Sequence, residues 1–139
     1  FKERSVLLGY FKNIRKSLQD DGLFCLDNFG GTQCHQKIKD KKIFSNFSYF
    51  WECQEFNPIN NHCQYAIHFK YKDFLYKNAF SYDWRFWTPA ELRDLLTEAG
   101  FKEIIVYWEQ DEPVNESYFT KEEKAENVPA WICYIVARK

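Results

Sequence analysis

Tyr82-Asp83-Trp84-Arg85-Phe86-Trp87-Thr88-Pro89-Ala90-Glu91-Leu92, running on through Gly100 to Trp108, carries an aromatic strand straight into a helix and then into a second strand. Thr88 has a hydroxyl to cap the helix, Pro89 suits the first turn because its missing N–H costs nothing there, and Glu91 completes a Thr-x-x-Glu capping box. Leu92, Leu95, Leu96 and Ala99 form one apolar stripe at helical spacing, and Gly100 supplies the left-handed residue that ends the helix. Phe101 to Trp108 then reads as a buried strand. The stretch is an α/β unit.

Upstream, Val6, Leu7, Tyr10, Phe11, Ile14 and Leu18 recur at helical spacing and predict an amphipathic helix over about Ser5 to Gln19. Asp20-Asp21-Gly22 breaks it. Leu23-Phe24-Cys25-Leu26 is a continuous apolar run of the kind found in strands covered on both faces, and Asp27 closes it. The polar loop Asn28-Phe29-Gly30-Gly31 follows. In α/β sheets ligands bind outside the carboxyl ends of strands, which makes Asp27 a candidate binding residue. Residues 32 to 43, with Lys37, Lys39, Lys41 and Lys42, have little periodicity and read as a mobile connector holding at most a short helix.

From Phe47 the pattern changes to period two. Phe47, Tyr49, Trp51 and Cys53 share one face, Asn57 to Asn61 turns, Cys63 to Tyr71 alternates again, and Phe74 to Trp87 alternates a third time. The expectation is a three-stranded antiparallel meander within an insert of about residues 44–87. Gln110 to Val128 is acidic and aperiodic, and Ala130 to Ala137 is a last strand.

With 139 residues, the chain is long enough for one domain, 1–139, that buries roughly two-thirds of its unfolded surface. The formal charge of −1 provides no long-range field for nucleic acid or an anionic membrane, so neither is an expected partner, and binding there would require local patches. No run of about 18 apolar residues and no signal-peptide pattern is present, which makes the cytoplasm the expected location. Cys25, Cys34, Cys53, Cys63 and Cys133 are an odd number and are expected as free thiols. The chain starts at Phe1 and contains no methionine, which reads as a piece of a longer product.

Taken together, the helix ending at Gly22, Leu26-Asp27-Asn28-Phe29-Gly30-Gly31, Tyr49-Phe50-Trp51-Glu52, Asn57-Pro58, His68-Phe69, Phe80 to Thr88 and Glu98-Ala99-Gly100-Phe101 resemble the C-terminal half of a class I S-adenosylmethionine-dependent methyltransferase. The resemblance implies an α/β fold: strands five to seven of a Rossmann-like sheet, formed by Leu23 to Asp27, Phe101 to Trp108 and Ala130 to Ala137. The last strand would lie antiparallel between the other two, and the inserted meander would cover the active-site crevice. The residues that hold S-adenosylmethionine would precede Phe1, so no cofactor-binding residue is assigned. The isolated chain is expected to be inactive, with its fifth-strand edge covered by the N-terminal half or by a second copy.

The partner implied is a small-molecule methyl acceptor, bound by Asp27, Tyr49, Trp51, His68, Tyr82, Trp84 and Arg85. Indole faces attract planar or cationic acceptors, and the fork of Arg85 suits a carboxylate or an ion pair with Asp83 or Glu52. Trp84 and Trp87 have opposite parity, so one regular strand cannot turn both inward. Methyl transfer depends mainly on positioning and exclusion of water. Glu52, His68, Tyr82, Asp83 and Glu109 are the groups able to take a proton, and none of them is decisive. Cys34-His35 and His62-Cys63 lack metal-ligand spacing, so no metal is expected. The rival reading is a non-catalytic module whose aromatic meander binds a small molecule or a protein.

Overall fold

The computed structural model describes residues 1–139 and divides into two compact units, Phe1–Thr32 with Trp87–Lys139, and Gln33–Phe86. No helix is long and apolar enough to cross a membrane.

The first unit is the α/β part. Its helices are α1 (Arg4–Ser17) and α2 (Pro89–Glu98), and its strands are β1 (Leu23–Gly30), β6 (Glu103–Val114), β7 (Ser117–Lys121) and β8 (Trp131–Arg138). The expected capping box is present: Glu91 N–H donates to Thr88 Oγ1 at 3.2 Å, and Thr88 N–H donates to Glu91 Oε2 at 2.9 Å. At the other end Gly100 has φ +96°, its N–H donates to the Thr97 carbonyl, and the Phe101 N–H donates to the Leu96 carbonyl. These two bonds make a Schellman motif, and Phe101 and Leu96 join the same core. Arg15 Nε, near the end of α1, donates to the Gly100 carbonyl at 2.7 Å and ties the two helices together.

The sheet order is β1-β8-β6-β7, with β8 antiparallel to both β1 and β6, so the last strand lies between the other two as expected. Alternation then divides the faces. Phe24 and Leu26 of β1, Ile104 and Val106 of β6, and Cys133, Ile135 and Ala137 of β8 pack with Leu7, Phe11, Leu92, Leu95 and Leu96 of the helices. Two boundaries move. β1 continues past Asp27 to Gly30, because Asn28, Phe29 and Gly30 keep pairing with Cys133, Ile132 and Trp131. The acidic stretch is no loop at its start: β6 runs to Val114, Asn115 and Glu116 both take positive φ, and β7 returns alongside. Two left-handed residues are what a tight hairpin turn requires, and polar, exposed strands hide that hairpin from a hydrophobicity pattern.

The second unit is a four-stranded antiparallel sheet, β2 (Lys39–Ile43), β3 (Ser48–Asn57), β4 (His62–Tyr71) and β5 (Phe74–Arg85), in sequential order. The expected three-stranded meander is therefore corrected to four strands. Part of the expected connector is β2, in register with β3 from Lys39–Glu52 to Ile43–Ser48. All five of its residues are exposed. An outer strand needs no apolar alternation when its neighbour supplies the pairing, and lysines on it discourage further pairing. Lys39 and Lys41 lie over the Phe50 ring, with Nζ at 5.4 and 5.8 Å from its centroid.

Candidate functional site

Cross-strand register decides which expected site residues share a surface. In the sheet of β2 to β5, Trp51 is opposite Ile67, Tyr65 is opposite both Cys53 and Tyr82, Cys63 is opposite Trp84, and Tyr49 is opposite Phe69. Directly opposed residues point to the same face. Tyr49, Trp51, Tyr82 and Trp84 are thus brought together on one aromatic face.

The cluster is tight. Tyr82 and Trp84, two apart on β5, have centroids 4.3 Å apart, and Trp51 stacks on Tyr65 at 4.9 Å. Trp51 also meets Tyr82 at 5.8 Å and Trp84 at 6.4 Å, while Tyr49 lies edge-on to Phe69 at 5.7 Å. Tyr65, which is not among the expected site residues, is the centre of this face at 2% exposure. Its alternation with Cys63 and Ile67 is visible in the sequence, but nothing there separates a central packing ring from a wall ring. The Tyr65 hydroxyl donates to the Cys34 carbonyl and so anchors the segment before β2. Burial, with the nearby thiols of Cys53 and Cys34 next, pushes its ionisation well above the ordinary tyrosine value. Burial likewise pushes the Cys34 thiol up to about 11, so this group is no ready nucleophile at neutral pH. His35 is held edge-on between the rings of Phe56 and Phe86, at 4.6 and 4.7 Å, and burial lowers its pKa.

His68 and Arg85 belong to the opposite face. His68 is 2% exposed and sits where β5 bulges, since Ile67 pairs with Phe80 but Phe69 pairs with Tyr76. Asn78, in that bulge with φ +50°, donates its backbone N–H to His68 Nδ1 at 2.8 Å. Nδ1 is therefore an acceptor, the ring proton sits on Nε2, and Nε2 donates to Glu52 Oε2 at 2.8 Å. Gln54, the extra residue of a bulge in β3, donates to both Glu52 Oε2 and Asn78 Oδ1. Burial acts to raise the Glu52 carboxyl, but hydrogen bonds from Gln54 and His68 and the charge of Lys39 outweigh it and hold the pKa below its ordinary value. The imidazole is thus fully engaged in fixing two bulges. Both of its nitrogens have partners within the sheet, and the single in-plane lone pair, on Nδ1, already accepts from the Asn78 N–H. Arg85 closes β5 half-buried, opposite His62 in register.

Asp27 lies in the other unit, on the outward, exposed side of β1 opposite Tyr134. Its neighbour Asn28 faces the other way, and its Nδ2 donates to the Trp87 carbonyl at 3.0 Å. Trp87 has left the β5 ladder, so the parity conflict with Trp84 does not arise. Its indole N–H donates to the Phe1 carbonyl at 3.0 Å, and the ring packs on the α/β core. The glycines that follow serve close packing within the chain. A Cβ at Gly30 would overlap the Trp131 ring, and one at Gly31, whose φ is +123°, would overlap the Pro129 backbone. The residues at this strand end are thus committed to one another and do not form a cradle fitting S-adenosylmethionine. No group of three or more His, Cys, Asp or Glu side chains gathers closely enough to hold a metal ion.

No protein-family model matches the sequence, and no curated protein matches it. The fold is similar to the crystal structure of a S-adenosylmethionine-dependent methyltransferase from Clostridium acetobutylicum ATCC 824, with a TM-score of 0.58 and 15% sequence identity. The match covers 96% of this chain and 51% of that one, so the chain spans about half the length of the solved structure. At this identity the likeness shows a methyltransferase-like fold.

Proposed function

We propose that this chain is the substrate-side portion of an S-adenosylmethionine-dependent methyltransferase, and that the cofactor is held by residues outside these 139. The observation that supports the reading is the sheet order β1-β8-β6 with its antiparallel central strand, within a likeness that covers nearly all of this chain and half of the compared enzyme. In this reading β1, β6 and β8 are the fifth, sixth and seventh strands. β1 pairs only with β8, so its other edge is the place for the N-terminal half or a second copy to add. The role of this chain is to receive the methyl acceptor on the face of Tyr49, Trp51, Tyr82 and Trp84, exclude water there and orient the acceptor atom.

The test is a calorimetric titration of S-adenosylmethionine into this chain and into a version extended at its N-terminus through the upstream coding sequence. Binding by the extended form alone is expected. Binding by the short chain would overturn the placement of the cofactor, and binding by neither would favour a non-catalytic module.

A further inference from the structure

Register gathers two turns at one end of the β2–β5 sheet. Ile43 opposes Ser48, Ser48 opposes Lys70, and Tyr71 opposes Phe74, so the β2–β3 turn and the β4–β5 turn project side by side. These tips carry large apolar side chains in the open: Ile43 is 75% exposed and Phe74 69%, and Phe44, Tyr71, Leu75 and Tyr76 are also exposed. Phe44 stacks on Phe47 at 4.7 Å and Phe74 meets Tyr76 at 5.7 Å, so the rings form clusters on the surface. At the other end of the sheet the β3–β4 turn exposes one such residue, Ile59.

Charge is local too. Lys41, Lys42, Lys70, Lys72 and Lys77, all exposed, surround the tips, against Asp40 and Asp73. The formal charge of −1 for the whole chain conceals this basic end. We propose that the paired hairpin tips dock the protein on an anionic lipid surface, with the Phe44 and Phe74 turns entering the interface and the lysines facing headgroups.

Three arguments select this occupant. Aromatic and aliphatic side chains on projecting turns suit the boundary between headgroups and acyl chains, and lysines near an anionic leaflet add attraction that decays within a Debye length. A second copy packed on the same patch would bring like-charged lysines together. Single-stranded nucleic acid needs a groove that tracks its backbone, whereas two turn tips are convex.

The test is co-sedimentation of the whole chain with phosphatidylcholine vesicles, with and without phosphatidylserine, at low and raised salt. Binding to the anionic vesicles alone, weakened by salt, is expected. Lys72→Glu should lower affinity by at least about fivefold, the effect of losing one lysine at such a surface. Phe44→Ser with Phe74→Ser should abolish binding, and Ile59→Ser should leave it unchanged. Circular dichroism checks that each variant is folded, and the salt dependence of the unaltered chain is independent of all of them. The proposal is overturned by no binding to anionic vesicles, by equal binding to both vesicle types, or by equal losses in Ile59→Ser. Tighter binding to a single-stranded oligonucleotide, or a concentration-dependent dimer abolished by Phe74→Ser, would also overturn it.

Discussion

In the α/β unit the apolar side chains converge: β1, β6 and β8 send Leu26, Val106 and Ile135 to the side where Leu7, Phe11, Leu95 and Leu96 of the helices meet them. In the β2–β5 sheet they spread over a surface, with Tyr65 fully enclosed at one position and Phe74 largely in the open a few residues along the same face. A core of aliphatic side chains against helices gains its stability from burial on the helix-covered face of the sheet, while Leu23, Ile132 and Tyr134 remain exposed elsewhere in the same unit. A single sheet rich in aromatic side chains gains from ring-to-ring contact and leaves area available for something else. The contrast separates a scaffold from a surface.

The contrast breaks if apolar residues in the two regions respond alike to truncation. Leu96 is wholly buried between α2 and the sheet, and Leu96→Ala is expected to cost about 2–5 kcal/mol through lost transfer energy and a residual cavity. Phe74→Ala removes a larger side chain from an exposed turn and should change stability by less than about 0.5 kcal/mol. Urea denaturation of both variants measures the difference. Similar costs would mean that the hairpin tips are packed in solution.

Legibility differs between the same two regions. The helices were readable because caps and stops are local chemistry: Thr88, Pro89, Glu91 and Gly100 each do in the structure what their side chains, or the lack of one, dictate. The central position of the last strand entered through the resemblance and is seen in the pairing of β8 with β1 and β6. β2 and β7 were not legible, because an outer strand takes its shape from its neighbour and is free to be polar, as Lys39 to Ile43 are. Among the candidate site residues, parity pairs Tyr49 with Trp51 and Tyr82 with Trp84 along their own strands, and the cross-strand register brings the two pairs to one face. Parity could not show that His68 would be sealed between two bulges, since a bulge is a departure from the period on which parity depends. The sequence pattern closes β1 at Asp27, whereas its pairing with β8 runs on to Gly30, and alternation puts Asp27 on the exposed face and Asn28 on the other.

The His68–Glu52–Asn78 network sharpens the comparison from within the sheet, because it holds a polar side chain, His68, at 2% exposure. Glu52→Ala leaves the His68 Nε2–H without its acceptor in a buried position and is expected to cost about 1–3 kcal/mol. The pH dependence has a definite sign. Because the folded-state pKa of Glu52 lies below its ordinary value of 4.5, its contribution is fully present above that value and is lost as pH falls through the lower, folded value. Glu52→Gln should therefore flatten the acid limb of the stability profile, measured by urea midpoints across that range. An unchanged acid limb would show that the network adds no linked stability.

The smallest expected effect tests whether local chemistry acts locally in the α/β unit. Thr88 Oγ1 accepts from Glu91 N–H, while the Glu91 carboxylate accepts from both the Thr88 N–H and the Thr88 hydroxyl. Thr88→Ala removes one acceptor and one donor of this reciprocal set, and the expected cost is about 1 kcal/mol. Pro89 still sets the first helical φ, and the Schellman closure at Gly100 is untouched, so α2 should remain a helix with a loosened first turn. Amide hydrogen exchange would show faster exchange confined to the first turn of α2. The Asn78 N–H bonded to His68 should keep its protection, because the bulge that holds it is built wholly within the other unit. If that amide loosened as well, the two regions would be coupled in a way that the separation of scaffold from surface does not allow.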